Sequence, residues 1–315
     1  MMPGVLRTGT GGRVLGVDAC RRGWIAVAVE DAVTGAYFDA DIQALVARAQ
    51  ADGPLTVVAV DMPIGLADRG QRQADTLARA AIGPLWASVF MTPVREALLA
   101  ADHTTASAIN RRLTGHGISI QAFALKPKLL EVERWARAAA VRVVEVHPEV
   151  CFARMAGGPL AERKSSWAGT ERRRALLAGA GIRLAGDIGP AGAFAGVDDV
   201  LDAGAAAWAA RRVLSGDARP IPDPPEVFSD GWPCAIWALP PPHRSPTAEG
   251  QPVMAADSLA RSASVNGTGL RFPASQLTVT TSASAATSPP AVTTVPRVVR
   301  LVVPRRSAAI RTVTR

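Results

Sequence analysis

The stretch Val14-Leu-Gly-Val-Asp18-Ala-Cys-Arg-Arg-Gly23, continuing into the apolar run Trp24 to Val29, decides the reading of this chain. Two short apolar runs flank a turn, and the first of them ends in an acid. Thr34-Gly35 leads into a third run, Ala36-Tyr-Phe38, so the three read as a β meander. Asp41 to Ala51 then sets Ile42, Leu45 and Val46 on one helical face, and Asp52-Gly53 stops it. Leu55 to Val60 is again β-branched and apolar, and it too runs into an acid, Asp61, followed by the turn Met-Pro-Ile-Gly65.

The order β-β-β-α-β carries topology. A strand separated from a meander by one helix rejoins the sheet in parallel through a right-handed crossover. Asp18 and Asp61 are therefore expected at the same end of neighbouring strands. Residues 67–140 read as a helical insertion of short helices, with Pro84, Pro93, Gly115 and Pro127 as breakers. Val141 to Val146 is a further strand leading into His147-Pro148-Glu149. Thr170 to Ala180 reads as a helix carrying Arg172, Arg173 and Arg174, and a last strong helix runs from near Val197 to about Leu214. Asp223-Pro-Pro and Cys234-Ala-Ile-Trp237 close the domain. The expected fold is α/β: an antiparallel three-strand meander plus parallel strands in one mixed sheet, flanked by helices.

Composition divides the chain. Hydrophobic residues make up 48% of it, enough for a core, but from Pro241 onward Ser, Thr, Ala, Pro, Val and Arg dominate. Residues 241–315 hold nine Arg against Glu249 and Asp257, which leaves 26 basic and 25 acidic residues in 1–240. The basic balance thus belongs to the tail, and the folded part gives no electrostatic sign of nucleic acid. The expectation is a flexible N-terminus over 1–12, one domain over 13–240, and a disordered basic tail over 241–315. Cys20, Cys151 and Cys234 are too widely spaced for a zinc ribbon or a disulfide framework. With no apolar run of the ~18–20 residues a membrane span needs, a cytoplasmic protein is expected.

Acids recur at strand ends and at the start of the last helix: Asp18, Asp61, Glu149, and the pair Asp199 and Asp202. Positions i and i+3 share a helix face, so Asp199 and Asp202 point one way and Asp198 is rotated off that line. Converging carboxylates repel one another, and they shift pKa or recruit a cation. An all-oxygen set favours Mg²⁺ or Mn²⁺, and two such ions ~3.5–4 Å apart suit phosphodiester hydrolysis. Taken singly, Asp61 also reads as a turn former and Asp199 as a complement to the helix dipole. His147 is a candidate for orienting a carboxylate. The arginines of 172–174 read as phosphate contacts or as a solvated face, and Trp24, Trp86 and Trp208 as core.

Several of these motifs occur together in one known family. Val17-Asp18-Ala-Cys-Arg-Arg-Gly-Trp24, Val60-Asp61-Met-Pro-Ile-Gly65 and Ser88-Val-Phe90 before Pro93 come first. Ser119-Ile-Gln121, Lys128 to Val132, Glu145-Val-His-Pro-Glu149, Lys164 with Gly169 and Arg172, and Asp198-Asp199-Val-Leu-Asp202-Ala follow in order. The chain resembles, over residues 14–203, the domain of unknown function 429 family, described as predicted RNase H-like nucleases. The resemblance implies an RNase H-like fold with a helical insertion after the fourth strand. It also implies an acidic site at Asp18, Asp61, Glu149, Asp199 and Asp202, with Lys164 and Arg172 among the matched positions. The turn after Asp18 departs from the family by reading Ala-Cys-Arg-Arg, and the tail has no counterpart there.

Three functions are in play. The leading expectation is a Mg²⁺- or Mn²⁺-dependent nuclease acting on DNA or RNA. A non-catalytic nucleic-acid or partner-binding module on the same scaffold is the alternative. An actin-like ATPase or sugar kinase shares the β-β-β-α-β start but cradles phosphate in a Gly- and Ser/Thr-rich turn, which Ala-Cys-Arg-Arg is not.

Overall fold

The structure is a computed structural model, and it describes residues 11–241. The expectations for a flexible N-terminus and a disordered tail fall almost entirely on 1–10 and 242–315, outside the described residues. The meander forms as read, with β1 (Arg13–Cys20), β2 (Gly23–Val29) and β3 (Val33–Asp39) pairing antiparallel in succession. Helix α1 (Ile42–Ala51) begins where the Asp41 carboxylate accepts from the Ala44 amide, and it returns the chain to β4 (Leu55–Val60). β4 lies parallel to β1 with Val17 opposite Val60.

Between β4 and β5 (Arg142–Glu145) stand α2 (Gln73–Ile82), a short 3-10 helix at Gly83–Ser88, α3 (Arg95–Leu99), α4 (His103–Thr114), α5 (Ile120–Ala124) and α6 (Lys126–Ala138). Pro127 sits in the first turn of α6, where its missing N–H costs nothing, so it opens a helix rather than breaking one. After β5 come α7 (Pro148–Ala156), α8 (Trp167–Gly179), α9 (Pro190–Phe194) and α10 (Val197–Leu214).

Two strands lie beyond the sequence reading. β6 (Arg219–Val227) and β7 (Pro233–Ala238) pair antiparallel, and β7 joins β5 in parallel. β6 carries four prolines and a register shift at the sheet edge, which hides it from a propensity reading. The result is a seven-stranded mixed sheet in the order β3-β2-β1-β4-β5-β7-β6, flanked by helices. An RNase H-like arrangement is consistent with it.

Side-chain alternation sorts the sheet into two faces. Val14 and Cys20 of β1, Val57 and Ala59 of β4, and Val144 of β5 pack in the core cluster that contains α10. Leu15, Val17, Val58 and Val60 pack with α1 and α6 on the opposite face. α10 contacts its face closely because it is built of small residues: Ala203, Ala205, Ala206, Ala207, Ala209 and Ala210 are all buried. Gly16 completes the fit, since a Cβ there would stand 2.0 Å from the Ala207 backbone nitrogen.

Candidate metal centre

Asp18 belongs to the same alternating set as Val14, Gly16 and Cys20, so its side chain emerges on the α10 face. Asp61 follows β4 with the parity of Val57 and Ala59, and its amide donates to the Val17 carbonyl at 2.9 Å. The parallel register therefore sets the two acids side by side at the C-terminal ends of two neighbouring interior strands. α10 crosses β1, β2 and β4 and supplies Asp202 from its second turn.

Asp18, Asp61 and Asp202 each offer a carboxylate oxygen within 4.8 Å of the others. Among the described residues, no other group of three or more His, Cys, Asp or Glu side chains is placed to hold a metal ion. Asp18 and Asp202 are buried, and Asp61 is partly open. The Asp202 Oδ1 atom is buried with no hydrogen-bond partner, whereas its Oδ2 accepts from the Lys164 ammonium at 2.5 Å. Asp18 accepts from the Ala19 amide at 2.7 Å. This buried acidic triad could hold a metal ion.

Electrostatics within the triad are unfavourable when it stands alone. Burial, then the charges of Asp61 and Asp202, hold Asp18 well above the usual carboxylate range. Burial and the Asp202 charge do the same for Asp61 against the opposing pull of Lys164. Burial raises Asp202 to about 6 even with Lys164 bound to it. For Lys164, burial acts to lower its pKa, but Asp202 and its hydrogen bond outweigh this and raise it.

The other expected acids are placed differently. Glu149 is buried in the first turn of α7, and both of its oxygens are taken by the Arg173 guanidinium at 2.7 Å. It acts on the triad only through space, raising Asp61 and Asp202. Asp199 turns back to accept from the Gly196 amide at 3.0 Å, capping its own helix. The residue that shares the Lys164 side of α10 with Asp202 is Asp198, four positions earlier and 3.7 Å from the ammonium. Both i+3 and i+4 spacings share a face, and the demand for an N-terminal cap draws Asp199 out of the pair.

Arg172 is exposed, and its neighbour Arg173 is the buried one. Trp24 and Trp208 are buried, but Trp86 is 54% exposed beneath the Arg79 guanidinium, so its reading as core is corrected. The Trp24 indole donates to Glu131 at 2.9 Å.

Two groups beside the triad were missed from sequence. Glu145 is buried at the end of β5, where Arg72 donates to both its oxygens at 2.6 and 2.7 Å and the Ile64 amide donates at 2.7 Å. Arg72 is fully buried and lies 3.7 Å from Asp75. The available signal was Glu145 itself, two residues before His147 in the same quoted motif. A cavity of about 150 Å³ opens between these groups and the triad, lined by Asp18, Asp61, Phe90, Leu125, Glu145 and His147. Burial, then the positive charge of Lys164, lowers His147 to about 4, so its ring is neutral there.

No helix among the described residues is long and apolar enough to cross a membrane. No curated protein and no solved structure matches the chain. A family model does match, over residues 16–227, which run from within β1 to the end of β6 and include every residue of the triad. The chain belongs to the family described as protein of unknown function (DUF429).

Proposed function

We propose that this protein is an RNase H-like, metal-dependent nuclease that hydrolyses phosphodiester bonds at Asp18, Asp61 and Asp202. The observation that carries the reading is the triad itself: three carboxylates within 4.8 Å of one another, one of them with a buried oxygen that no protein donor satisfies. An isolated cluster of this kind raises its own pKa values, and a hard divalent cation relieves that cost. The donor set is all oxygen, which fits Mg²⁺ or Mn²⁺ better than a softer metal. A bound divalent cation supplies Lewis-acid stabilisation of the charge that develops on a phosphoryl oxygen.

The chain's own groups do the rest. Asp18 and Asp61, at the ends of β1 and β4, would hold the cation together with Asp202 of α10. Neutral His147 lines the adjoining cavity, and its unpartnered Nδ1 can accept one hydrogen bond from a water or a substrate hydroxyl. Phe90 and Leu125 give the cavity an apolar wall beside the reacting centre. Nucleic acid is the proposed substrate. Three free, buried cysteines fit a reducing, cytoplasmic setting.

The test is cleavage. The full chain, with Mg²⁺ or Mn²⁺, is incubated with single-stranded, duplex and branched DNA and with RNA, beside Asp61→Asn. Metal-dependent products lost in the variant support the reading. Binding without cleavage, unchanged in the variant, replaces it with the binding-module alternative.

A further inference from the structure

The triad is not empty of positive charge. Lys164, from the segment between α7 and α8, reaches across to α10 and places its ammonium 2.5 Å from Asp202 Oδ2 and 3.7 Å from Asp198. It thus holds one of the two oxygens that Asp202 could offer, and the other, Oδ1, is buried and unpartnered. A carboxylate that bridges two metal ions through separate oxygens needs both of them free. Here one is already committed to a cation that the chain carries itself.

We infer that Lys164 takes the place of a second metal ion, so that the centre binds a single divalent cation. The inference rests on the metal-dependent reading above and replaces the two-ion version expected from sequence. Charge balance supports it independently of position. The ionised triad carries three negative charges, and Lys164 returns one. Both oxygens of Glu149 are held by Arg173 and both oxygens of Glu145 by Arg72, so the two neighbouring carboxylates are already engaged by side chains. Asp199 is engaged at the start of its own helix. Over these four groups, one divalent cation brings the triad and Lys164 to neutrality, and a second would give them a net charge of +2 in a largely buried site, where such charge is costly.

The placement also gives Lys164 a task. Its side chain is 38% exposed, and its ammonium is fixed to Asp202. A fixed ammonium there stabilises a phosphoryl oxygen as a point charge.

Calorimetric titration of the full chain with Mn²⁺ at pH 8 tests this, with Lys164→Met and Lys164→Arg beside the parent. One ion is expected to bind the parent and the Arg variant. Removing the nearby positive charge in Lys164→Met is expected to tighten Mn²⁺ binding by about tenfold or more. Two ions bound to the parent, or a Met variant that binds no more tightly, would overturn the inference while leaving a metal-dependent nuclease intact. No saturable binding to the parent would end both the inference and the metal reading. No cleavage by the parent with one ion bound would count against the nuclease reading alone.

Discussion

Arg173 of α8 clasps Glu149 of α7 through both carboxylate oxygens, at 2.7 Å each, with both side chains buried. The guanidinium also donates to the Glu162 and Gly169 carbonyls at 3.0 Å, so it ties the segment that bears Lys164 to the helix behind the triad. Breaking such a pair from one side strands a buried carboxylate and costs about 3–5 kcal/mol. Arg173→Met is expected to lose that much stability in urea denaturation. Arg172→Ala, at an exposed position, is expected to stay within about 0.5 kcal/mol. Equal losses in the two variants would remove the distinction drawn between them.

Proton competition sets the pH dependence of metal binding. A ligating carboxylate has to be deprotonated, so affinity falls wherever protons are bound in the metal-free site. Asp202 is raised to about 6, and Asp18 and Asp61 are raised as well. Mn²⁺ affinity is therefore expected to be still climbing between pH 6 and 7. Titrations at half-unit intervals would show this directly. A profile already level by pH 5, as ordinary carboxylates near ~4 would give, would contradict it.

Much of this site was legible because strand alternation and parallel register are local rules. Asp18 and Asp61 could be placed at the same end of neighbouring strands from two apolar runs and one intervening helix. Asp202 followed from helical periodicity. What periodicity could not show was which charges would find partners across the fold. Glu149 and Arg173 are 24 residues apart, and Arg72 and Glu145 are 73 apart, so only the packed domain reveals that these acids are already matched. Asp199 was misdirected by a competing local demand, the cap of its own helix. β6 was hidden because its prolines weaken the pattern by which a strand is recognised.

Stability and function oppose each other at the triad. Groups whose pKa is raised by folding favour the native state at low pH, and that contribution is lost as pH rises through the folded value. Without metal, the protein should therefore be penalised by the triad above about pH 6 and not near pH 4. Asp61→Asn removes one of the repelling charges. In EDTA it is expected to be more stable than the parent by about 1–2 kcal/mol at pH 8, with the gain vanishing near pH 4. Thermal melts at both pH values provide the comparison. The same variant should lose the stabilisation that Mn²⁺ gives the parent. A variant less stable than the parent at pH 8 in EDTA would mean that Asp61 is not under electrostatic strain.

The distance between α10 and the sheet is set by Gly16. A methyl group there would meet the Ala207 nitrogen at 2.0 Å and the Ala203 carbonyl oxygen at 2.2 Å, both backbone atoms that cannot rotate aside. The helix would have to move outward, taking Asp202 away from Asp18, which lies two residues beyond Gly16 on the same face of β1. Gly16→Ala is thus expected to cost more than about 3 kcal/mol, at the upper end for overpacking, and to weaken Mn²⁺ binding without altering any ligand. Ala207→Gly serves as the control, because it removes only a side chain and leaves the backbone contact in place. It should not rescue Gly16→Ala. Rescue would show that the Ala207 side chain, and not the helix backbone, limits the approach.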